Sequence, residues 1–198
     1  MESIKVVEWV DIRAPKSDVF QLILDLKRRI QLSPFWGVID LDCVSDEFPC
    51  EGSFFRTKIV QGGDKELESK VITFVEGTRL CYQTRADDTS QITWTVQDCA
   101  AGTRLIYEEE FRSEEESIDE VRKTVREAVK KWLNNIQRYS ELHTTRSRRF
   151  IKWFLDRYFL KLRVEQRNVI TALIFMKAVS IIAFIMAAMA YGMATLIN

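Results

Sequence analysis

The 198-residue sequence has few of the residues that build metal centres and disulfide frameworks. It contains one histidine, His143, and four cysteines, Cys43, Cys50, Cys81 and Cys99, with no Cys-x-x-Cys pair among them. Zinc and iron–sulfur sites need closely spaced Cys and His ligands. We therefore expect no metal and no cofactor, and the spacing favours four separate, reduced thiols.

The shortage of histidine also argues against the common nucleophilic mechanisms. His143 follows the last predicted helix of residues 1–142, so no Ser-His or Cys-His pair can form among those residues. Acidic residues cluster at Asp40 and Asp42 and again at residues 108–110, but such clusters are typical of solvated strand faces. Residues 62–65, Gly-Gly-Asp-Lys, lack the spacing of a phosphate-binding loop. No catalytic residue is predicted, and binding is favoured over catalysis.

The net charge is zero, but the charges are distributed unevenly. From His143 onward there are nine Lys/Arg and two Asp/Glu, so this tail carries +7 and residues 1–142 carry −7. Nucleic-acid binding needs a positive face on the folded part of a protein, so we expect no nucleic-acid partner. Glu2, Glu8 and Asp11 interrupt the apolar run that a signal peptide requires. We expect residues 1–142, called the body below, to be cytoplasmic.

A long uncharged run lies near the end of the sequence. Residues 178–197 read AVSIIAFIMAAMAYGMATLI, and at about 1.5 Å per residue they would span about 30 Å, the thickness of a bilayer core. A transmembrane helix is predicted within 169–198, because an element apolar on all sides would otherwise need a far larger protein around it. Basic residues precede this run and only Asn198 follows it, so the positive-inside bias predicts a single-pass protein with a cytoplasmic body. Small residues would also allow the span to pair with a second copy, namely Ala183, Ala187, Ala188, Ala190 and Gly192.

Residues 143–168, between the body and the predicted span, form a basic amphipathic segment. Its apolar residues fall on one half of a helical wheel: Phe150, Ile151, Phe154, Leu155, Tyr158, Phe159 and Leu162. This pattern predicts a helix lying in the interface of an anionic leaflet. The predicted membrane-interface residues are Arg149, Lys152, Trp153, Phe154, Tyr158, Arg163 and Arg167. Alternatively, the apolar face packs on the body or on a second copy.

The body combines strand and helix patterns. Strand character appears at residues 4–12, 38–44, 53–60, 66–75, 79–86, 91–97 and 103–111, with turn residues at 62–64, 76–77 and 87–88. Two short helices are predicted after the first strand, with Val19, Leu22, Ile23 and Leu26 forming the apolar face of the first and residues 27–32 forming the second. A long amphipathic helix is predicted over 114–142. The regular strand spacing predicts one antiparallel meander, and the apolar stripe of the long helix must lie on its face. The predicted class is α+β.

Residues 9–20, WVDIRAPKSDVF, place an Ala-Pro turn between the first predicted strand and an amphipathic helix. This motif resembles the START-like (SRPBCC) superfamily of polyketide cyclases, lipid-transfer proteins and the birch-pollen allergen, whose members end the first strand in such a turn. Phe35-Trp36 before an acidic strand, residues 52–56 (GSFFR) and residues 94–96 (WTV) look like later strands of the family. The resemblance covers roughly residues 1–142. It implies the helix-grip fold, in which a curved antiparallel sheet of six to seven strands wraps around the last helix.

The resemblance also implies a cavity between the sheet and the last helix for a lipid, an isoprenoid quinone, a polyketide or a similar molecule. The candidate wall residues are Phe55, Arg56, Leu80, Tyr82, Ile92, Trp94, Leu105, Tyr107, Val125, Trp132 and Ile136. For any single apolar or aromatic residue among them, plain core packing is the favoured alternative.

Three functions remain open from the sequence. The leading one is a membrane-anchored binder or carrier of a hydrophobic small molecule. The second is a cyclase or dehydrase whose polar residues would be Arg56, Tyr82, Arg85 and Tyr107. The third is a membrane-tethered adaptor whose acidic body binds a basic partner.

Overall fold

The structure is a computed structural model of the whole chain. It describes residues 2–34, 39–59, 65–85, 89–113, 117–143 and 146–158, and shorter stretches between residues 162 and 186. The chain divides into two compact units, residues 1–154 and 155–198. The predicted turns at 62–64 and 87–88 and the Phe35-Trp36 motif lie outside the described residues.

The described elements follow the predicted order. They are β1 (Glu2–Ile12), α1 (Lys16–Leu24), α2 (Leu26–Gln31), β2 (Ile39–Val44), β3 (Phe54–Ile59), β4 (Lys65–Val75), β5 (Arg79–Arg85), β6 (Thr89–Cys99), β7 (Gly102–Ser113), α3 (Ile118–Ser140) and α4 (Arg146–Arg157). The largest difference in the body is at the long helix, predicted over 114–142 and observed from Ile118 to Ser140. Residues 114–116, where the prediction placed its first turn, lie outside the described residues.

The strands form one antiparallel sheet in the order β1-β7-β6-β5-β4-β3-β2. Six of the seven strands are therefore neighbours in sequence order, as a meander requires, and β1 returns to pair with β7. The β1–β7 pairing runs from Glu2 opposite Ser113 to Ile12 opposite Thr103. The predicted α+β class and antiparallel sheet are confirmed.

The helix α3 packs on the inner face of the sheet, mainly against β1. Its buried residues Val129, Leu133, Ile136 and Tyr139 recur every three or four positions, so one stripe of the helix meets the sheet. Arg126 of α3 also forms an ion pair with Glu8 of β1 at 2.9 Å. The long helix therefore lies on the sheet face, as its apolar stripe predicts.

Three side chains of α3 hydrogen-bond to backbone carbonyls of other elements. Trp132 Nε1 donates to the carbonyl of Arg29 at 3.0 Å, and Asn135 Nδ2 donates to that of Leu32 at 3.0 Å. Gln137 Nε2 donates to the carbonyl of Asp11 at 2.8 Å. These bonds fix α3 to the α2 region on one side and to the end of β1 on the other.

The helix α4 covers part of the predicted basic amphipathic segment. Beyond it, the described residues between 169 and 186 are helical and almost all exposed. Within the part of the chain that is described, no helix is both long enough and apolar enough to cross a membrane. Residues 171, 178, 185 and 187–198 of the predicted span lie outside the described residues.

A candidate ligand cavity between sheet and helix

A cavity of about 330 Å³ lies between the inner face of the sheet and the helices α2 and α3. This volume is at the lower end of the range of small-molecule pockets, about 300–1,000 Å³. Most of the cavity surface is apolar. Its lining residues are Arg29, Ile30, Ser33, Ile39, Phe55, Thr57, Leu67, Ser69, Tyr82, Thr84, Ser90, Ile92, Tyr107, Glu109, Val125, Ala128, Val129 and Trp132.

The cavity occupies one end of the sheet, and the other end is filled. At the filled end, Leu80 lies opposite Phe74 on one side and Trp94 on the other, and all three side chains face inward. The ring of Phe74 stacks on that of Phe20 from α1, with centroids 6.1 Å apart. The helix α1 therefore covers this end with bulky side chains, whereas the cavity lies towards Thr84 and Ser69, which line it.

Six of the eleven predicted ligand-binding residues line the cavity: Phe55, Tyr82, Ile92, Tyr107, Val125 and Trp132. Four others, Leu80, Trp94, Leu105 and Ile136, have no exposed surface and do not line it. They belong to the filled end of the sheet. The strand and helix patterns direct their side chains inward, as they do for the cavity residues. The structure therefore places these four in the solid core.

The two arginines chosen as polar candidates both lie outside the cavity. Arg56 follows the inward-facing Phe55, so it points to the outer face, where its Nε pairs with Glu68 Oε2 at 2.9 Å. Arg85 is exposed near the end of β5. Strand alternation explains both positions, because neighbouring residues face opposite sides of a sheet.

The cation inside the cavity is Arg29 of α2, which the sequence analysis did not select. Its side chain is only 2% exposed and lines the cavity. Nη1 donates to the carbonyl of Ile23 at 3.1 Å, whereas the buried Nε has no hydrogen-bond partner. Burial lowers the pKa of this guanidinium, because the charged form is poorly solvated there. Residues three positions apart lie on the same face of a helix, so the apolar Leu26 could have identified Arg29 as inward-facing.

Three aromatic rings surround the Arg29 guanidinium. Its central carbon lies 5.1 Å from the ring centroid of Tyr82, 5.5 Å from that of Trp94 and 5.8 Å from that of Phe55. Each ring can attract the cation through its π face. Arg29 is thus held by rings and by one carbonyl.

The carboxyl group inside the cavity is Glu109, in the acidic run that was expected to be solvated. Tyr107 and Glu109 both face inward, and the Tyr107 hydroxyl donates to Glu109 Oε2 at 2.7 Å. Burial raises the pKa of Glu109, and the hydrogen bond from Tyr107 opposes that rise. Burial also raises the pKa of Tyr107 well above its ordinary value, and the adjacent Glu109 adds to the rise. The expectation of a solvated run holds for the exposed Glu110 but is wrong for Glu109.

The predicted membrane-interface residues are described only in part. Arg149, Trp153, Phe154 and Tyr158 are exposed, while Arg163 and Arg167 lie outside the described residues. Lys152 is half-buried, and its Nζ lies 4.8 Å from the ring centroid of Tyr139. Lys152 of α4 therefore contacts the end of α3, while Phe150, Trp153 and Phe154 of the apolar face are exposed.

Comparison with known proteins identifies the fold. No protein-family model matches the sequence, and no curated protein matches it. Among solved structures, Ara h 8.0201 has a TM-score of 0.54 and 14% identity over 70% of this chain and 98% of that chain. CV1439 from Chromobacterium violaceum has a TM-score of 0.54 and 17% identity over 69% of this chain and 96% of its own.

A third match is one part of a longer protein. The di-domain ARO/CYC protein StfQ from the steffimycin biosynthetic pathway has a TM-score of 0.56 and 12% identity, covering 71% of this chain and 51% of that chain. At these identities the matches establish a shared fold and nothing about activity. The body of this chain therefore shares the fold of these structures, the helix-grip fold that the sequence resemblance implies.

Proposed function

We propose that this protein is a membrane-anchored binding or carrier protein for a hydrophobic small molecule. The observation that carries the proposal is the largely apolar cavity of about 330 Å³ between the sheet and α3. A close-packed protein core contains few voids larger than a water molecule, and this cavity is many times that volume. Space lined by aromatic and aliphatic side chains is suited to a ligand that avoids water.

The membrane part of the proposal rests on the tail. The twenty uncharged residues at 178–197 and the basic residues before them form the pattern of a single-pass anchor with a cytoplasmic body. In α4, the side chains of Phe150, Trp153 and Phe154 are 64%, 52% and 43% exposed. Exposed aromatic side chains beside basic residues are typical of a helix that contacts a lipid headgroup region.

A blocked cavity tests the binding function. In Val125→Trp, the larger side chain would fill part of the cavity from α3, whereas Lys123→Trp adds the same ring at an exposed position two residues earlier. We expect the full chain in detergent to bind the neutral fluorophore N-phenyl-1-naphthylamine. The Lys123→Trp variant should bind it equally well, and Val125→Trp should lose most of this binding while keeping its far-ultraviolet circular dichroism and its cooperative thermal unfolding. Equal binding by all three proteins would refute the proposal.

A second candidate function is a reaction of the bound molecule, such as loss of water. It is favoured by the Tyr107–Glu109 pair, because a buried carboxyl group with a raised pKa is suited to act as a general acid. Glu109→Gln should then accumulate a bound molecule heavier by one water than the molecule carried by the wild type. Identical masses from the two proteins would rule out this dehydrase role.

A further inference from the structure

Among the described residues, the Arg29 guanidinium is a buried charge without an acidic partner. No carboxylate of this part of the chain forms an ion pair with it, and its buried Nε has no hydrogen-bond partner. Burying an ionised group is costly unless it is paired or hydrogen-bonded. The described wall of this apolar cavity therefore contains a cation but no acidic counter-ion for it.

Other groups around the cavity do not replace that counter-ion. The carbonyl of Ile23 accepts from Nη1 only, and the three surrounding rings attract the cation without accepting hydrogen bonds in its plane. Glu109 lines the same cavity, but its carboxylate is bonded to the Tyr107 hydroxyl rather than to Arg29. A cationic side chain that lines an apolar cavity in this way is suited to attract the anionic group of a ligand.

We propose that the ligand of this cavity is a hydrophobic acid whose anionic group binds Arg29 and whose apolar part fills the space between the sheet and α3. This inference rests on the proposed binding function and adds the chemical class of the ligand. The mostly apolar lining explains the hydrophobic part, and the unpaired guanidinium explains the acid. A neutral lipid or quinone would leave the Arg29 charge buried without a partner.

Two matched fluorophores test this charge preference on the full chain in detergent. 1-Anilinonaphthalene-8-sulfonate and N-phenyl-1-naphthylamine share the same ring system, and only the first carries an anionic group. We expect the wild type to bind the anionic probe about tenfold or more tightly than the neutral one, after subtraction of the signal from the blocked Val125→Trp variant. Equal affinity for the two probes would overturn the inference without use of any variant at Arg29.

Substitution then assigns the preference to one residue. Arg29→Met keeps a long apolar side chain and removes the charge, and Lys27→Met makes the same change of charge at an exposed position of the same helix. We expect Arg29→Met to weaken binding of the anionic probe about tenfold and to change binding of the neutral probe less than about twofold. Lys27→Met should leave both affinities unchanged.

The remaining outcomes separate this inference from the proposed function. If Arg29→Met weakens both probes equally, Arg29 shapes the cavity and the acid is not its ligand. If Lys27→Met has the same effect as Arg29→Met, the preference comes from surface charge. If the wild type binds neither probe while folded, the proposed binding function itself fails.

Discussion

At the scale of single residues, Glu109 couples the cavity to pH. Burial raises the pKa of its carboxyl group above the ordinary value of 4.5. The folded protein therefore holds this proton more tightly than the unfolded chain. The stabilisation linked to that proton is complete below the unfolded pKa and is lost as the pH rises through the folded pKa.

Glu109→Gln should remove this dependence. The amide oxygen can still accept the hydrogen bond from Tyr107, so the main change is loss of the titration. We expect the Tm of the variant minus the Tm of the wild type to increase as the pH rises above about 4.5 and then to level off, because only the wild type loses the stabilisation linked to the Glu109 proton. Thermal melts of both proteins at several pH values measure it.

Glu108→Gln is the matched control, because Glu108 precedes Glu109 on the same strand and faces the other side of the sheet. The rise of the Tm difference with pH should be larger for Glu109→Gln than for this control. An equal rise for the two variants would mean that the Glu109 carboxyl group is solvated in solution.

The sequence predicts inward-facing residues better than it predicts cavity residues. Alternation along β3, β5 and β7 correctly directs Phe55, Tyr82 and Tyr107 inward, and the same rule applied to Glu109 would have identified it. Whether an inward-facing residue lines the cavity or lies in the solid core depends on which part of the sheet face α1 covers, as it does near Leu80. This is a property of packing between distant parts of the chain, which local periodicity does not contain.

At the scale of elements, the hydrogen bond from Asn135 to the carbonyl of Leu32 holds α3 on the chain segment after α2. Loss of this bond in Asn135→Ala should lower the free energy of unfolding by about 0.5–1.5 kcal/mol relative to a control with the same gain in helix propensity. Denaturant unfolding of the full chain measures the change.

The neighbouring residue provides the control. Asn134 is exposed on the same helix, and Asn134→Ala makes the same change in helix propensity. We therefore expect the hydrogen bond to account for the difference in the free energy of unfolding between Asn134→Ala and Asn135→Ala. Equal stabilities would show that the α3–α2 contact does not depend on this bond.

A second prediction at this scale concerns the turn between β6 and β7. Gly102 has φ +128°, and a Cβ atom there would lie 2.7 Å from the carbonyl oxygen of Ile12 on β1. Gly102→Ala should thus combine backbone strain with a clash against backbone, and we expect a loss of at least about 1–3 kcal/mol in the free energy of unfolding.

Gly77 isolates the effect of the clash. It also has a positive φ, +67°, but a Cβ atom there would have no neighbour within 4 Å. Gly77→Ala should cost less than Gly102→Ala in the same denaturant experiment. The reverse order would indicate that β1 and β7 do not approach as closely as the structure shows.

At the scale of the whole molecule, the chain combines a helix-grip body with a basic, then apolar, tail. The order of the elements and the α+β class follow from sequence periodicity and from the motifs at residues 9–20. The membrane anchor remains a prediction from composition, because most of residues 178–197 lie outside the described residues. Hydropathy predicts such a span without tertiary contacts, since bilayer thickness sets its length.

Alkaline carbonate extraction tests the anchor. We expect the wild type to stay in the membrane pellet and Met186→Lys/Ala187→Lys to move to the supernatant, because these positions are near the middle of residues 178–197 and each lysine there costs about 2.5–3.5 kcal/mol. Ile72→Lys places the same residue on an exposed position of β4 and should stay in the pellet. Extraction of the wild type by carbonate would contradict the anchor.

The binding function itself is tested most directly by identifying what the full chain carries. The protein would be purified from its membranes in mild detergent, and the molecule released by organic solvent would be identified by mass spectrometry, with the blocked Val125→Trp variant treated in parallel. We predict a hydrophobic molecule with one acidic group in near-stoichiometric amount from the wild type and little of it from the variant. A folded wild-type protein that carries no more than the variant would contradict the proposed function.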